Sequence, residues 1–600
     1  MPEKAGPREE GTVYSAAVTS VTEMADDPGA SGRLLFVLAF FAGLLLRLVQ
    51  LGSPDLLGPD EGAWAVGARN IVEGGLPQLL ALSSTPLGDA SGTPVFFPAL
   101  LAVMVKTFGA WEWAIRLPSV FAGLLAAFVL ERIVRRGYGQ PAGHIAGAFA
   151  VLAPPLVLAS RAATVEPTLT LLGLGGVIFG LRAFEEDSPG EALISGLLFG
   201  LAFLTKGYAV GLFVIPLLVA LLFRPRLFSL GRTKRTLALL AISFLLTAGL
   251  QVLLIALLRP DALAPHLARA FGKAPEALRQ LTDVALVSAD LRIIVKTLFV
   301  LLPLVGVGIA YLTRPLGEEE LASGATGGDR RLSHMALWCA YGVELVVLVA
   351  VAGSLELSST PVLPALSALA GLGGAALLAR PRSERRAWVE TGATIVSGVV
   401  VLLLAAVLVA TAKEPLFNGG SGTPFTAAGA FAAIVFCTAG AAWLASGDAS
   451  RRFGRRVGLV FLSILLVSEG LEAARTIRHD LLAHRTGARA LADQVAPALL
   501  PLPPRAVTFR APETDALAFR LFRTGINWAD RPTVERMSEE ARLGTTVVWA
   551  FRAGAPPGVA APDPEVQAWL ARNAREVTAE VDARAGRPTG LRVFVAGPPS

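Results

Sequence analysis

Thirteen apolar runs, most between about 17 and 23 residues long, recur along this chain, each long enough as a helix to cross roughly 30 Å of hydrocarbon. A backbone inside lipid must satisfy its own hydrogen bonds, so repeated runs of this length admit only a bundle of membrane helices. The expected spans are 34–51, 115–134, 142–160, 165–184, 192–206, 207–223, 236–258, 291–313, 335–353, 361–379, 392–412, 424–446 and 457–474. Composition agrees: 53% of the residues are hydrophobic and 17% charged, which excludes an ordinary soluble domain.

The net charge of +6 does not imply nucleic-acid binding, because the arginines occupy short loops between spans, where they set topology. Arg132, Arg135 and Arg136 mark one cytoplasmic loop, and Arg224, Arg226, Arg232, Lys234 and Arg235 another. Further clusters are Arg314, Arg330 and Arg331; Arg380, Arg382, Arg385 and Arg386; and Arg451, Arg452, Arg455 and Arg456. The spans alternate without conflict if 115–134 runs from outside to inside and the N-terminus is cytoplasmic. The short apolar segment 94–109, opened by prolines and interrupted by Lys106, then cannot cross and is expected as an interfacial helix on the outer face.

The expected organisation is a disordered cytoplasmic tail (1–32), a transmembrane domain (33–474) with external loops at 52–114 and 259–290, and an extracytoplasmic α/β domain (475–600). Short β-like runs at 505–509, 545–551 and 591–597, alternating with helix-like segments, carry the last reading. No Gly-rich phosphate motif, His-pair zinc spacing or cysteine framework occurs, so no cofactor, metal or disulfide is expected; the two cysteines, Cys339 and Cys437, lie in apolar runs.

Polar residues at span ends carry the functional signal. Asp60 and Glu61 stand in the first external loop, in LGSPDLLGPDEGAWAVGARNIVEGG (51–75). Arg161 and Glu166 lie in SRAATVEP, Lys206 in FLTKGY, and Arg47 one turn inside the first span. The topology brings all of them to one membrane face. Charged groups at membrane depth mark a substrate path or pair with each other. A carboxylate there can take a proton from an acceptor, and the lysine and arginines can neutralise a phosphate leaving group. Each group also has a plainer reading. Lys206 can snorkel, Glu166 can favour a helix dipole, Arg47 can anchor lipid phosphate, and the acid pair can cap the helix that follows.

The segment 51–75, FGAWEWAIRLPS (108–119), Arg161–Glu166 and GLAFLTKG (200–207) fall in an order that resembles the lipid-linked-sugar transferases of C-type glycosyltransferase fold. Their bacterial aminoarabinose transferases and protein O-mannosyltransferases are the nearest in pattern, and the resemblance covers roughly the first 225 residues. It implies an inverting transfer from a polyprenyl-phosphate sugar to a lipid, glycan or protein acceptor, at the outer face of the bacterial cytoplasmic membrane. It also implies catalytic roles for Asp60 and Glu166, with Glu61, Arg47, Arg69, Arg161, Lys206 and Thr93 as substrate-binding residues. The chain departs from the family pattern at Gly92-Thr93-Pro94, where a lysine is missing, at Glu166, where the family has Asp, at Trp64 in place of Tyr, and at Ser359-Thr360 before Pro361. The rival readings are a transporter or flippase for a lipid-linked anion, and a non-catalytic binding protein.

Overall fold

The computed structural model describes residues 28–53, 58–82, 95–206, 210–223, 230–258, 302–313, 331–341, 359–378, 448–483, 506–509, 527–528, 546–552, 564–585 and 591–596, with isolated positions 260, 263, 519, 534 and 538. The helices of the bundle are α1 (Pro28–Leu48), α2 (Gly58–Leu82), α3 (Phe96–Phe108), α4 (Glu112–Tyr138), α5 (Gln140–Leu152), α6 (Pro154–Arg161), α7 (Val165–Glu186), α8 (Pro189–Thr205), α9 (Gly211–Leu222), α10 (Leu230–Leu258), α11 (Leu302–Thr313), α12 (Ser359–Leu378) and α13 (Asp448–Ala483).

Among the described residues, four helical stretches are long and apolar enough to cross a membrane: Ala30–Leu48, Glu112–Tyr138, Val165–Glu186 and Thr233–Leu258. The bent pair α5–α6 makes a fifth. Other helices occupy all or part of the remaining expected spans, except that 392–412 and 424–446 lie outside the described residues. So do nearly all of the 259–290 loop and residues 1–27 of the expected tail; residues 28–32 form the start of α1. α3 has 13 residues, about 20 Å of helix at 1.5 Å per residue, well short of the hydrocarbon thickness.

Local sequence explains the turns. Asp187 closes α7 in the left-handed conformation (φ 51°), and Ser188 then caps α8 by accepting from Glu191 N, with Pro189 preset for the first helical turn. Gly139 (φ +92°) makes the single-residue hinge between α4 and α5. α5 is the centre of the bundle, packed by α1, α4 and α12. Small residues permit the approach: a Cβ at Gly371 of α12 would meet the backbone and side chain of Ala146 on α5. α10 turns Leu245, Leu246, Leu253 and Leu257 outward, as a lipid-facing span does.

The C-terminal segment forms a five-stranded sheet, β1 (Ala506–Phe509), β2 (Asn527–Trp528), β3 (Thr546–Arg552), β4 (Arg575–Glu576) and β5 (Leu591–Ala596), in the order β2-β1-β3-β5-β4. β1 runs parallel to β2 and β3, whereas β5 is antiparallel to β3 and β4. Helices α14 (Pro564–Asn573) and α15 (Thr578–Ala585) accompany it. β1, β3 and β5 fall on the three runs read as β-like in the sequence.

Candidate active site

Among the described residues, the C-termini of α1, α6 and α8 and the N-termini of α2, α3, α4 and α7 meet at one end of the bundle. Hydrogen bonds between them fix the arrangement. In the first turn of α2, Glu61 receives both arms of the Arg116 guanidinium, Nε at 2.7 Å from Oε1 and Nη2 at 2.9 Å from Oε2. Both side chains are fully buried. Arg116 Nη1 donates to Leu51 O at 2.7 Å, and Ala163 N donates to Glu61 Oε1 at 2.8 Å. The Glu61 carboxylate therefore ties α2 to α4 and to the turn between α6 and α7, and its partner Arg116 ties α4 to the chain leaving α1. A two-pronged, charge-assisted pair holds its geometry closely, and removing one partner would strand a buried charge. Asp60 precedes Glu61 in the same helical turn.

A second acidic group stands at the start of α7. Glu166 is nearly buried, and Lys206 Nζ lies 3.4 Å from its Oε1. Glu166 occupies the first turn of α7 and Lys206 is the C-cap of α8, so each charge complements its own helix dipole. Val95 N donates to Leu204 O at 3.0 Å, which brings the entry to α3 beside this pair. Ser119 Oγ donates to Thr164 O at 3.0 Å and joins α4 to the α6–α7 turn. Thr93 lies outside the described residues.

The arginines named from the sequence have backbone and aromatic neighbours. Arg47 is fully buried and donates from Nη1 to Gly43 O at 3.0 Å and to Val151 O at 2.8 Å. The second acceptor has a clear origin. Pro154 and Pro155 have no N–H, so Ala150 O and Val151 O lose their intrahelical donors, and the α5–α6 pair bends by 52° there. Arg161 Nη1 bonds Leu46 O (2.6 Å), Arg47 O (3.1 Å) and Val49 O (2.8 Å), the carbonyls at the end of α1. Arg69, also fully buried, sits with its guanidinium carbon 5.9 Å from the ring centroid of Phe519. The functional reading of the sequence passed over Arg116, although it stands in the FGAWEWAIRLPS stretch. Among the described residues, no three His, Cys, Asp or Glu side chains are grouped to hold a metal ion.

The opposite end of the bundle is chemically different. Arg136 pairs with Glu185 at 2.6 Å and Glu186 at 2.7 Å, while Arg132 and Arg135 flank Glu131. α4 thus runs from the Glu61–Arg116 end to an arginine cluster whose members pair with glutamates.

Residues 92–251 match the family described as dolichyl-phosphate-mannose-protein mannosyltransferase. Over 104 residues the chain is 31% identical to the protein named "Putative mannosyltransferase YycA" of Bacillus subtilis (strain 168), a match that spans 17% of this chain and 15% of that relative. ArnT from Cupriavidus metallidurans bound to undecaprenyl phosphate superposes with a TM-score of 0.58 at 20% identity, over 94% of this chain and 99% of that one. Its apo structure gives a TM-score of 0.54 with the same identity and coverage. The fold is shared across nearly the whole chain, and the resemblance read from the sequence motifs holds.

Proposed function

We infer that this chain, a polytopic membrane protein with the C-type fold of ArnT and a mannosyltransferase-family sequence over residues 92–251, is a polyprenyl-phosphate-dependent glycosyltransferase. The observation that carries this reading is the Glu166–Lys206 pair at the same bundle end as the turn holding Asp60 and Glu61. A partly exposed ammonium beside an acid is a recognition element for a phosphate, and an adjacent carboxylate supplies a base.

In this mechanism Asp60 accepts the proton from an acceptor hydroxyl or amine as the acceptor oxygen or nitrogen attacks the anomeric carbon. The bond from that carbon to the phosphate oxygen breaks on the opposite side. The configuration inverts and polyprenyl phosphate departs. Lys206 neutralises charge developing on the phosphate, and Glu166 holds the ammonium in place. The Glu61–Arg116 pair fixes the turn that presents Asp60. Donor and acceptor approach from the outer membrane face, because the basic cluster at the far end of α4 favours the cytoplasm. α3 lies at that outer face, beside Lys206.

The test uses the full-length protein in lipid nanodiscs with a panel of radiolabelled polyprenyl-phosphate sugars. Transfer from one of them, with Asp60→Asn slower by at least about a hundredfold and its thermal stability unchanged, is the expected result. Unchanged transfer by Asp60→Asn would remove Asp60 from the mechanism. Saturable binding of the sugar lipid without turnover would favour a carrier of lipid-linked anions.

A further inference from the structure

The β1–β2 pair is parallel, so the chain must cross over between its strands, through residues 510–526. One residue between those strands, Phe519, is fully buried, with neighbours in the helical bundle. Its ring belongs to a cluster with Trp64, Ala65 and Ala68 of α2 and Phe97 and Leu101 of α3. It also faces the guanidinium of Arg69 at 5.9 Å. Trp64 packs edge-on against Phe97, with centroids 5.8 Å apart.

α2 is therefore fixed at two levels. Glu61 and Arg116 secure its first turn, and the aromatic cluster secures the turns immediately after it. Farther along, Gly75 (φ 65°, ψ −148°) breaks the helical conformation, so the stretch bearing Asp60 is a helical segment of its own that ends before the kink. The 13-residue α3 packs against that stretch, and Phe519 joins the same cluster. Arg69 is fully buried beside Phe519, where a cation over an aromatic face gains most because water is excluded.

We propose that Phe519 is a positioning residue for the transfer reaction: it fixes α2 through Arg69, Trp64 and Ala68, and so sets the place of Asp60 from the C-terminal sheet segment. This inference rests on the glycosyltransferase reading above. Small displacements of a general base lower the rate of the chemical step far more than they weaken donor binding.

The experiment compares Phe519→Ala and Phe519→Leu with the wild type in full-length protein, reading kcat, the donor KM, thermal stability, and amide hydrogen exchange over residues 58–72. For Phe519→Ala the expected result is a kcat lower by between about tenfold and a hundredfold, a donor KM within about twofold, and faster exchange confined to 58–72. Leucine keeps most of the volume but not the ring face, and is expected to lose about threefold in kcat. Wild-type kcat and exchange in Phe519→Ala overturn the proposal, as does a loss of kcat matched by a rise in KM. If Phe519→Ala does not fold, Phe519→Leu decides alone: a lowered kcat at constant KM supports the proposal and a wild-type kcat overturns it. If the wild type transfers no sugar, the functional reading fails. Exchange over 58–72 then decides separately whether Phe519 holds α2.

Discussion

Arg47 and Arg161 hold α1 and the bent α5–α6 pair together: Arg47 Nη1 donates to Val151 O of α5 at 2.8 Å, and Arg161 Nη1 of α6 donates to Leu46 O at 2.6 Å at the end of α1. Proline creates the first vacancy and the helix terminus creates the second. In lipid neither carbonyl can turn to water, and an unpaired one is costly. The reciprocal bonds let a broken span and a span end lie side by side beneath the candidate site.

Arg47→Leu should therefore destabilise the bundle, by about 1–3 kcal/mol for the carbonyl left without a donor. Arg47→Lys should retain part of the loss, since an ammonium on a long stem can still reach Val151 O. Thermal unfolding in detergent measures both. A raised donor KM with unchanged stability would instead make Arg47 a phosphate ligand, the role its position near a span end implied.

That case shows where sequence reasoning stops. The clustering of polar groups at one face was legible, because charge alternation between loops assigns each span end a side and the described parts of the expected spans are helical. The partners of those groups were not. Arg47 and Val151 are 104 positions apart, and a carbonyl leaves no trace in the residue type that carries it. Arg116 lay in a quoted motif, yet nothing in its spacing joins it to Glu61, 55 positions earlier. Phe519 is one apolar residue among many, and only the fold makes it a neighbour of Arg69.

The Glu61–Arg116 pair predicts strong non-additivity. Glu61→Ala or Arg116→Leu alone leaves a buried charge and should cost about 3–5 kcal/mol each. The double variant should cost clearly less than the sum, since it leaves neither charge stranded. Thermal unfolding of the four proteins completes the cycle. Additive losses would mean that the two groups do not share one interaction.

Lys206 is expected to act on the donor. Lys206→Ala should raise the donor KM by about tenfold or more, in line with roughly 1.5–3 kcal/mol for a hydrogen bond to a charged group, and Lys206→Arg should recover part of it. Glu166→Gln keeps the shape and removes the charge that orients the ammonium, so a smaller rise is expected. Steady-state kinetics across donor concentration separates the terms. An unchanged donor KM in Lys206→Ala would reduce this lysine to an interfacial anchor.

Orientation has a direct measurement. Trp111, immediately before α4, is 43% exposed at the candidate-site end. Gly190 stands in the first turn of α8 at the basic end, where an added Cβ would meet no atom within 4 Å. A cysteine at either position should therefore leave the packing intact. With Cys339 and Cys437 both replaced by alanine, an impermeant maleimide added to intact cells should label Trp111→Cys. Gly190→Cys should react only after the membrane is opened. α4 is long enough to cross once, so the two labels must report opposite sides if the basic end faces the cytoplasm. The reverse pattern would place the Glu166–Lys206 pair on the cytoplasmic face and with it the entire route of donor and acceptor.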